Sequence, residues 1–336
     1  MNAIPRPLIA FSSAGPMDPS VRTRLTTWAE RTGTALDLRV GGTFPTKPPR
    51  RAALRESSVI VLRNSHRVSR GGFEERALRL AGLGIYELDD GLPWDNGRLH
   101  GLGRWWKVPF RRDRIAVRSA RAADRVIAGN HVLADWASQY CEDVRIIPTC
   151  VDPDDYNRKV DFNLNATPTL IWVGSEATEF EIVDIAPALL EVHRQTNARL
   201  VLLGAANRPI PSGMELFTTR IPWTLESQKT LLAQADIGLM PLSNGVYQQA
   251  KCGYKLLQYA AAGLPAVASP VGVNSQMLAQ GLGVAAETEQ WVEKVVALIS
   301  ANSIARQRIG QTAFTTCVSE YSYTSWEPSW RKAVAQ

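Results

Sequence analysis

The chain has 336 residues, 45% of them hydrophobic and 21% charged, with a formal net charge of +6. That length is too great for one ordinary α/β core and suits two domains of about 150 residues each, while the balanced composition is that of a globular protein with a sizeable core. No run of eighteen apolar residues occurs and residues 1–7 lack a long apolar segment, so a membrane-spanning or exported chain is disfavoured and a cytoplasmic location is expected.

The charge is uneven. Residues 1–160 carry 26 lysines and arginines against 18 acids, a net of +8, and the remainder carries 12 against 14, a net of −2. The basic half can serve an anionic acceptor, a membrane surface or solubility, and charge alone does not choose. Cys141, Cys150, Cys252 and Cys317 have no paired spacing and the four histidines are scattered, so neither a disulfide framework nor a metal site is indicated. Small buried filler is their default role.

From the start of the chain, short apolar runs at Leu8–Phe11, Leu36–Val40, Val59–Leu62, Ile85–Leu88, Val126–Ala128 and Val144–Ile147 read as strands of a covered parallel sheet. Asp18 followed by Pro19 is a helix start leading into Arg22–Arg31, and 73–81 and 111–123 supply further crossovers. The acidic, proline-containing stretch 147–156 reads as a hinge linker. A second alternation follows, with strands at 169–174, 199–203, 237–240 and 266–269 and helices near 182–196, 254–262, 291–301 and 303–321. These rules predict two doubly wound α/β domains.

The stretch Lys251-Cys252-Gly253-Tyr254-Lys255, running into a helix and then the strand Ala266–Ser269, carries the most chemistry. A glycine lets backbone approach a ligand, a helix N-terminus offers N–H groups and a positive dipole end, and two lysines add full charge, a set that suits a diphosphate. Residues 251–274, with Trp172-Val173-Gly174-Ser175 and residues 235–242 upstream, resemble the nucleotide-sugar domain of family 4 retaining glycosyltransferases of the GT-B fold. The resemblance is specific over about 169–320 and looser over 1–160.

It implies two Rossmann-like domains facing across a cleft. The N-terminal one, 1–160 completed by a C-terminal helix 322–336, would bind the acceptor, and the C-terminal one, 161–321, the nucleotide sugar. It further implies sugar transfer with retention, no metal, no cofactor and a UDP-type donor. Lys251 and Lys255 would neutralise the leaving diphosphate, and Cys252, Gly253, Tyr254, Gly174 and Ser175 would line the donor site. Relatives bracket this turn with two glutamates; here Ala250 stands at the first place and Gln258, which can still bond a ribose hydroxyl, at the second. Relatives also place an arginine and a lysine after the glycine, where this chain has Ser175-Glu176-Ala177-Thr178; Ser175 and Thr178 can equally cap the next helix. Trp223 is a candidate wall for the base or a packing residue.

On the first domain, Gly15 in the turn after the first strand and Arg22 one turn into the helix can meet an anion, and the turn can also be an ordinary connection. Asp89 and Asp90 end a buried strand where ligand-facing residues collect, so either can orient an acceptor hydroxyl; adjacent side chains diverge, which disfavours a metal. His66 and His131 are the histidines best placed for a cleft, each more in keeping with surface or packing. Arg111, Arg114, Arg118, Arg121 and Arg125 share a helical face behind Trp105, Trp106, Lys107 and Phe110; this is a solvated face or a patch for peripheral membrane contact or a lipid-linked acceptor. No nucleic-acid motif accompanies it. Two other classes stand as rivals: an idle sugar-nucleotide-binding protein, given Ala250 and the missing charges after Gly174, and a nicotinamide dehydrogenase, which the absence of G-x-G-x-x-G after the first strand disfavours.

Overall fold

A computed structural model describes residues 7–40, 50–62, 72–95, 112–204 and 209–335. The chain forms two compact units, one of residues 1–150, 245–252 and 326–336 and the other of 151–244 and 253–325.

The first unit is built on a six-stranded sheet in the order β2-β1-β3-β4-β5-β6, every described pair parallel. The strands are β1 Leu8–Ser12, β2 Leu36–Val40, β3 Ser58–Leu62, β4 Leu83–Leu88, β5 Arg125–Ala128 and β6 Val144–Ile146. Every residue of β1, β3, β4 and β5 is buried, as expected of strands covered on both faces. Strand order reverses between β1 and β3, which makes the turn after β1 the switch point where open sheets admit ligands.

That turn leads to Asp18, whose Oδ1 accepts from the Ser20 and Val21 N–H groups, with Pro19 at the first helical position. The helix expected over Arg22–Arg31 forms, with a π-helical segment inside it. Arg22–Thr26 is a π-helical turn before the α-helix Thr27–Thr32, and it leaves Arg22 half-exposed while Arg24 is buried.

The arginine face of the helix Arg112–Ala122 is largely spent inside the unit. Arg112 pairs with Asp95, Arg118 with Glu75, and the Arg121 guanidinium lies over the Tyr140 ring. Arg125 is buried; its Nε bonds Asp143, and its Nη1 donates to the carbonyls of Ala333 and Ala335 at the end of the helix Tyr323–Val334. Trp330 of that helix stacks on Trp28, ring centroids 5.5 Å apart. His66, Trp105, Trp106, Lys107, Phe110 and Arg111 lie outside the described residues.

The second unit has its own six-stranded parallel sheet, in the order β12-β11-β10-β7-β8-β9. Its strands are β7 Thr169–Val173, β8 Arg199–Leu203, β9 Thr218–Ile221, β10 Ile237–Met240, β11 Ala266–Ala268 and β12 Val284–Ala285. Renumbered from β7, this is the dinucleotide-fold order 3-2-1-4-5-6, with its switch point between β7 and β10. Tyr259 locks that point: its hydroxyl donates to the Leu239 carbonyl and accepts the Val173 N–H. Residues 151–160 pack on this unit through Val151 N–H to Tyr321 O and Lys159 N–H to Ala262 O. All four cysteines are free and buried. No described helix is long and apolar enough to cross a membrane.

Candidate functional site

In the second unit, the strand ends at the switch point are shaped by glycines. A Cβ on Gly174 would overlap the Trp172 ring, and one on Gly204 would overlap the Gly174 carbonyl oxygen. Neither position accepts a side chain, so backbone meets backbone at the ends of β7 and β8. Ser175 and Thr178 serve each other there: the Ser175 N–H donates to Thr178 Oγ1 and the Thr178 hydroxyl to the Ser175 carbonyl. Local capping therefore accounts for this pair.

Gly253 opens the helix Tyr254–Ala261 at φ +67, a left-handed conformation, and a Cβ there would stand 2.6 Å from Met277 Sδ and 3.2 Å from Asn274 Oδ1. Asn274 is fully buried; its Nδ2 donates to the Ser269 carbonyl, while its Oδ1 has no hydrogen-bond partner among the described residues. Among the described residues no side chain forms a capping hydrogen bond at this helix start. Lys255 lies in its first turn, with Nζ 5.4 Å from the Trp172 ring centroid, so Lys255 and the Gly174 turn share one region. Gln258 is buried and donates Nε2–H to Gln228 Oε1 at 2.9 Å, and the same oxygen accepts the Trp223 indole N–H at 2.8 Å. Gln228, which sequence reasoning missed, thus joins the two proposed base and ribose contacts; its signal was a glutamine in an otherwise ordinary helix, which is no signal.

The first unit gathers charge instead. At the end of β4, Glu87 forms a buried ion pair with Arg24, Nε to Oε1 2.5 Å, both about 2% exposed in their side chains. Burial works against the Arg24 charge, but Glu87, Cys252 and Asp89 outweigh it and the guanidinium is held protonated. Sequence pattern singles out neither residue, although an acid inside the apolar run of β4 is a visible clue.

Asp90 is bound from three sides. Its Oδ1 accepts the Gly91 N–H at 2.9 Å and faces the Lys251 ammonium at 3.5 Å, and its Oδ2 accepts the Tyr247 hydroxyl at 2.8 Å. Lys251 also lies over the Tyr247 ring. The segment 245–252 is therefore seated on this unit, and Asn130 fastens it further by donating to the carbonyls of Ala250 and Lys251. Gly91 and Gly129 make the seat: a Cβ would meet Tyr247 at 2.7 Å at the first and overlap Cys252 Sγ at the second. Burial, reinforced by Asp89 and Glu87 and opposed by Arg24, pushes the Cys252 thiol up to about 12. Lys251, expected on the helix start beside Lys255, precedes that helix and is engaged by Asp90.

Gly15 does not adopt a positive φ, and a Cβ there would have no described atom within 4 Å. Arg22 lies half-exposed beyond it, and His131 is exposed at the start of the helix His131–Ala137, capped by Asn130.

Residues 167–301 match the family model described as glycosyl transferases group 1. Among solved structures, a sucrose-phosphate synthase from Thermosynechococcus elongatus is similar with TM-score 0.70 at 13% identity, over 97% of this chain and 98% of that one. WaaG, a glycosyltransferase involved in lipopolysaccharide biosynthesis, gives 0.67 at 14% identity over 97% and 99%. Anabaena HepE in complex with UDP and glucose gives 0.70 at 13% over 98% and 99%. No curated protein matches this sequence. The two parallel sheets have the GT-B fold of these glycosyltransferases.

Proposed function

We propose that this chain is a glycosyltransferase that moves a sugar from a nucleotide diphosphate sugar, with uridine as the base, to an acceptor hydroxyl with retention and without a metal. The observation that carries the reading is the uncapped, glycine-opened helix Tyr254–Ala261 with Lys255 in its first turn, inside the region that matches a glycosyltransferase family. As the bond from the anomeric carbon to the diphosphate breaks, negative charge grows on the leaving phosphate. The helix end and the Lys255 ammonium are preorganised cations for that charge. Gln258 and Trp223, joined through Gln228, are the contacts we assign to ribose and base. UDP in the complex of the similar Anabaena protein supports the donor class.

The acceptor oxygen forms the new glycosidic bond to the anomeric carbon as its proton passes to the departing diphosphate, which leaves as UDP. Asp90 is engaged by Tyr247 and Lys251, so we assign orientation of the acceptor hydroxyl to Asp89, with Gly15 and Arg22 serving an anionic part of the acceptor. Lys251 then acts through Asp90 as a positioning residue.

A panel of UDP-sugars tests this, with UDP release and product anomer read by nuclear magnetic resonance. Release on a UDP-sugar, undiminished by chelator and giving the donor's anomeric configuration, is the expected result; release that needs added magnesium, or an inverted product, refutes the corresponding part. A second reading, a sugar-nucleotide-binding protein without turnover, draws on Ala250 at a position where relatives carry an acid and on the engagement of Lys251. Single-turnover transfer from a labelled donor separates the two.

A further inference from the structure

The second unit contains a cavity of about 650 Å³ whose lining includes Thr169 and Arg199, the first residues of β7 and β8, and Ala235 just ahead of β10. At β7 and β8 it therefore lies toward the N-terminal ends, and it extends along the edge of the sheet to Ile221 at the end of β9. Ligands of open α/β sheets gather at the other, C-terminal ends, so the donor reading does not account for it. Its size falls within the roughly 300–1,000 Å³ of small-molecule sites.

The lining has two parts. Ile171, Val201, Ile221 and Leu231 give an apolar floor, and around it stand three cations, Arg158, Lys159 and Arg199, against one carboxylate, Asp161. Elsewhere the arginines Arg112, Arg118, Arg125 and Arg220 each have a carboxylate partner. The three cavity cations form no ion pair among the described residues. Arg158 stacks over the Phe314 ring at 3.6 Å and Arg199 donates Nε–H to Thr169 Oγ1. Asp161 is committed through Oδ1 to the N–H and side-chain amide of Asn163.

Lys159 is the most telling, being only 6% exposed. Its ammonium donates to the Ala235 carbonyl at 2.8 Å, which uses one of three N–H donors. Burial pulls its pKa down, with Asp236 and Asp161 acting the other way. A buried ammonium without a contacting counter-charge is costly, and an anion in the cavity would relieve that cost.

We propose that this cavity binds a small phosphate ester, its dianionic phosphate held by Lys159, Arg158 and Arg199 and its body laid over the floor of Ile171, Val201, Ile221 and Leu231. The three lining cations outnumber Asp161 and the Asp236 carboxylate that acts on Lys159, which leaves net positive charge for a phosphate, and arginines are suited to phosphate oxygens.

Calorimetric titration of the full chain with ribose 5-phosphate, with ribose as its neutral twin and with inorganic phosphate, tests this. Ribose 5-phosphate should bind, ribose should give no heat, and inorganic phosphate should bind more weakly because it leaves the floor uncovered. Arg158→Ser and Arg199→Ser, both at exposed positions and expected to fold, should each weaken ribose 5-phosphate about tenfold, and Lys159→Met should abolish its binding. Saturating UDP should leave the titration unchanged. The proposal is overturned if ribose 5-phosphate gives no heat at millimolar concentration, if both arginine variants bind like the parent, or if UDP displaces the ester, since displacement would locate it in the nucleotide site.

Discussion

At the C-terminal ends of their sheets the two units solve opposite problems. The first buries an arginine, an acid and a clamped aspartate, and balances each with the others: Arg24 with Glu87, and Asp90 with Tyr247, Lys251 and the Gly91 N–H. The second presents backbone at Gly174 and Gly253, Lys255, and a neutral relay of Trp223, Gln228 and Gln258, with its buried acids held nearby, Glu179 by Arg220 and Glu181 by the Ser243 N–H. The first network balances charge with charge, although Arg24 Nη1 and Glu87 Oε2 stay without a hydrogen-bond partner among the described residues, whereas a helix N-terminus offers N–H groups to an anion. On this contrast we read the first site as a framework and the second as a receiver.

The sharpest way to break that contrast is to unbalance the first network. Glu87→Gln should destabilise the fold by about 3–5 kcal/mol, because it strands the Arg24 guanidinium in the core, and Arg24→Met combined with Glu87→Leu should recover a large part of the loss. Urea unfolding of the three variants measures this, and a double variant as unstable as the single one would show that the pair is not a self-balancing unit. Lys255→Ala should act on rate and leave stability nearly alone, lowering turnover about a hundredfold, or about 2.7 kcal/mol, as loss of a preorganised charge does elsewhere. Unchanged single-turnover rates would remove Lys255 from the receiver.

Next in size, Gly253→Ala should cost about 1–3 kcal/mol, since alanine must adopt φ +67 and press on Met277; thermal melts check it, and an unperturbed midpoint would show that the turn relaxes freely. Tyr247→Phe should cost about 1 kcal/mol by removing one bond to Asp90. If the clamp matters for chemistry, its kcat falls while the donor KM holds. The smallest effect is on Cys252: a buried thiol whose pKa is raised to about 12 should resist iodoacetamide at neutral pH in the folded chain, and mass spectrometry reads the adduct.

Much of this architecture was legible in the sequence. The continuous apolar runs of β1, β3, β4, β7 and β10 were strands because a doubly covered sheet demands such runs, and the glycine before Tyr254 marked a helix start because glycine adopts a positive φ without steric cost. What escaped notice lacked local pattern. The edge strand β9, Thr218–Ile221, mixes threonine and arginine because one side is unpaired, and the two residues of β12 are too few for a period. The π-helical turn at Arg22–Thr26, which buries Arg24 and leaves Arg22 half-exposed, has no periodic signature to read. Asn130 meeting Ala250, or Tyr247 meeting Asp90, joins residues far apart in sequence, and such contacts leave no spacing to read. Lys251 illustrates the effect on the site: sequence placed it by its neighbour Lys255, and the fold engages it with Asp90.

The first unit is assembled from three stretches of chain, the last beginning at Trp326, and Arg125 finds its carbonyl partners at Ala333 and Ala335. Chains are made from the N-terminus at roughly 5–20 residues per second, so about 200 residues, ten seconds or more of synthesis, separate Arg125 from those partners. The unit that starts first on the ribosome is thus the one that closes last. During that interval the second unit can finish its own sheet, while Trp28 lacks the stacking that Trp330 gives it in the folded chain.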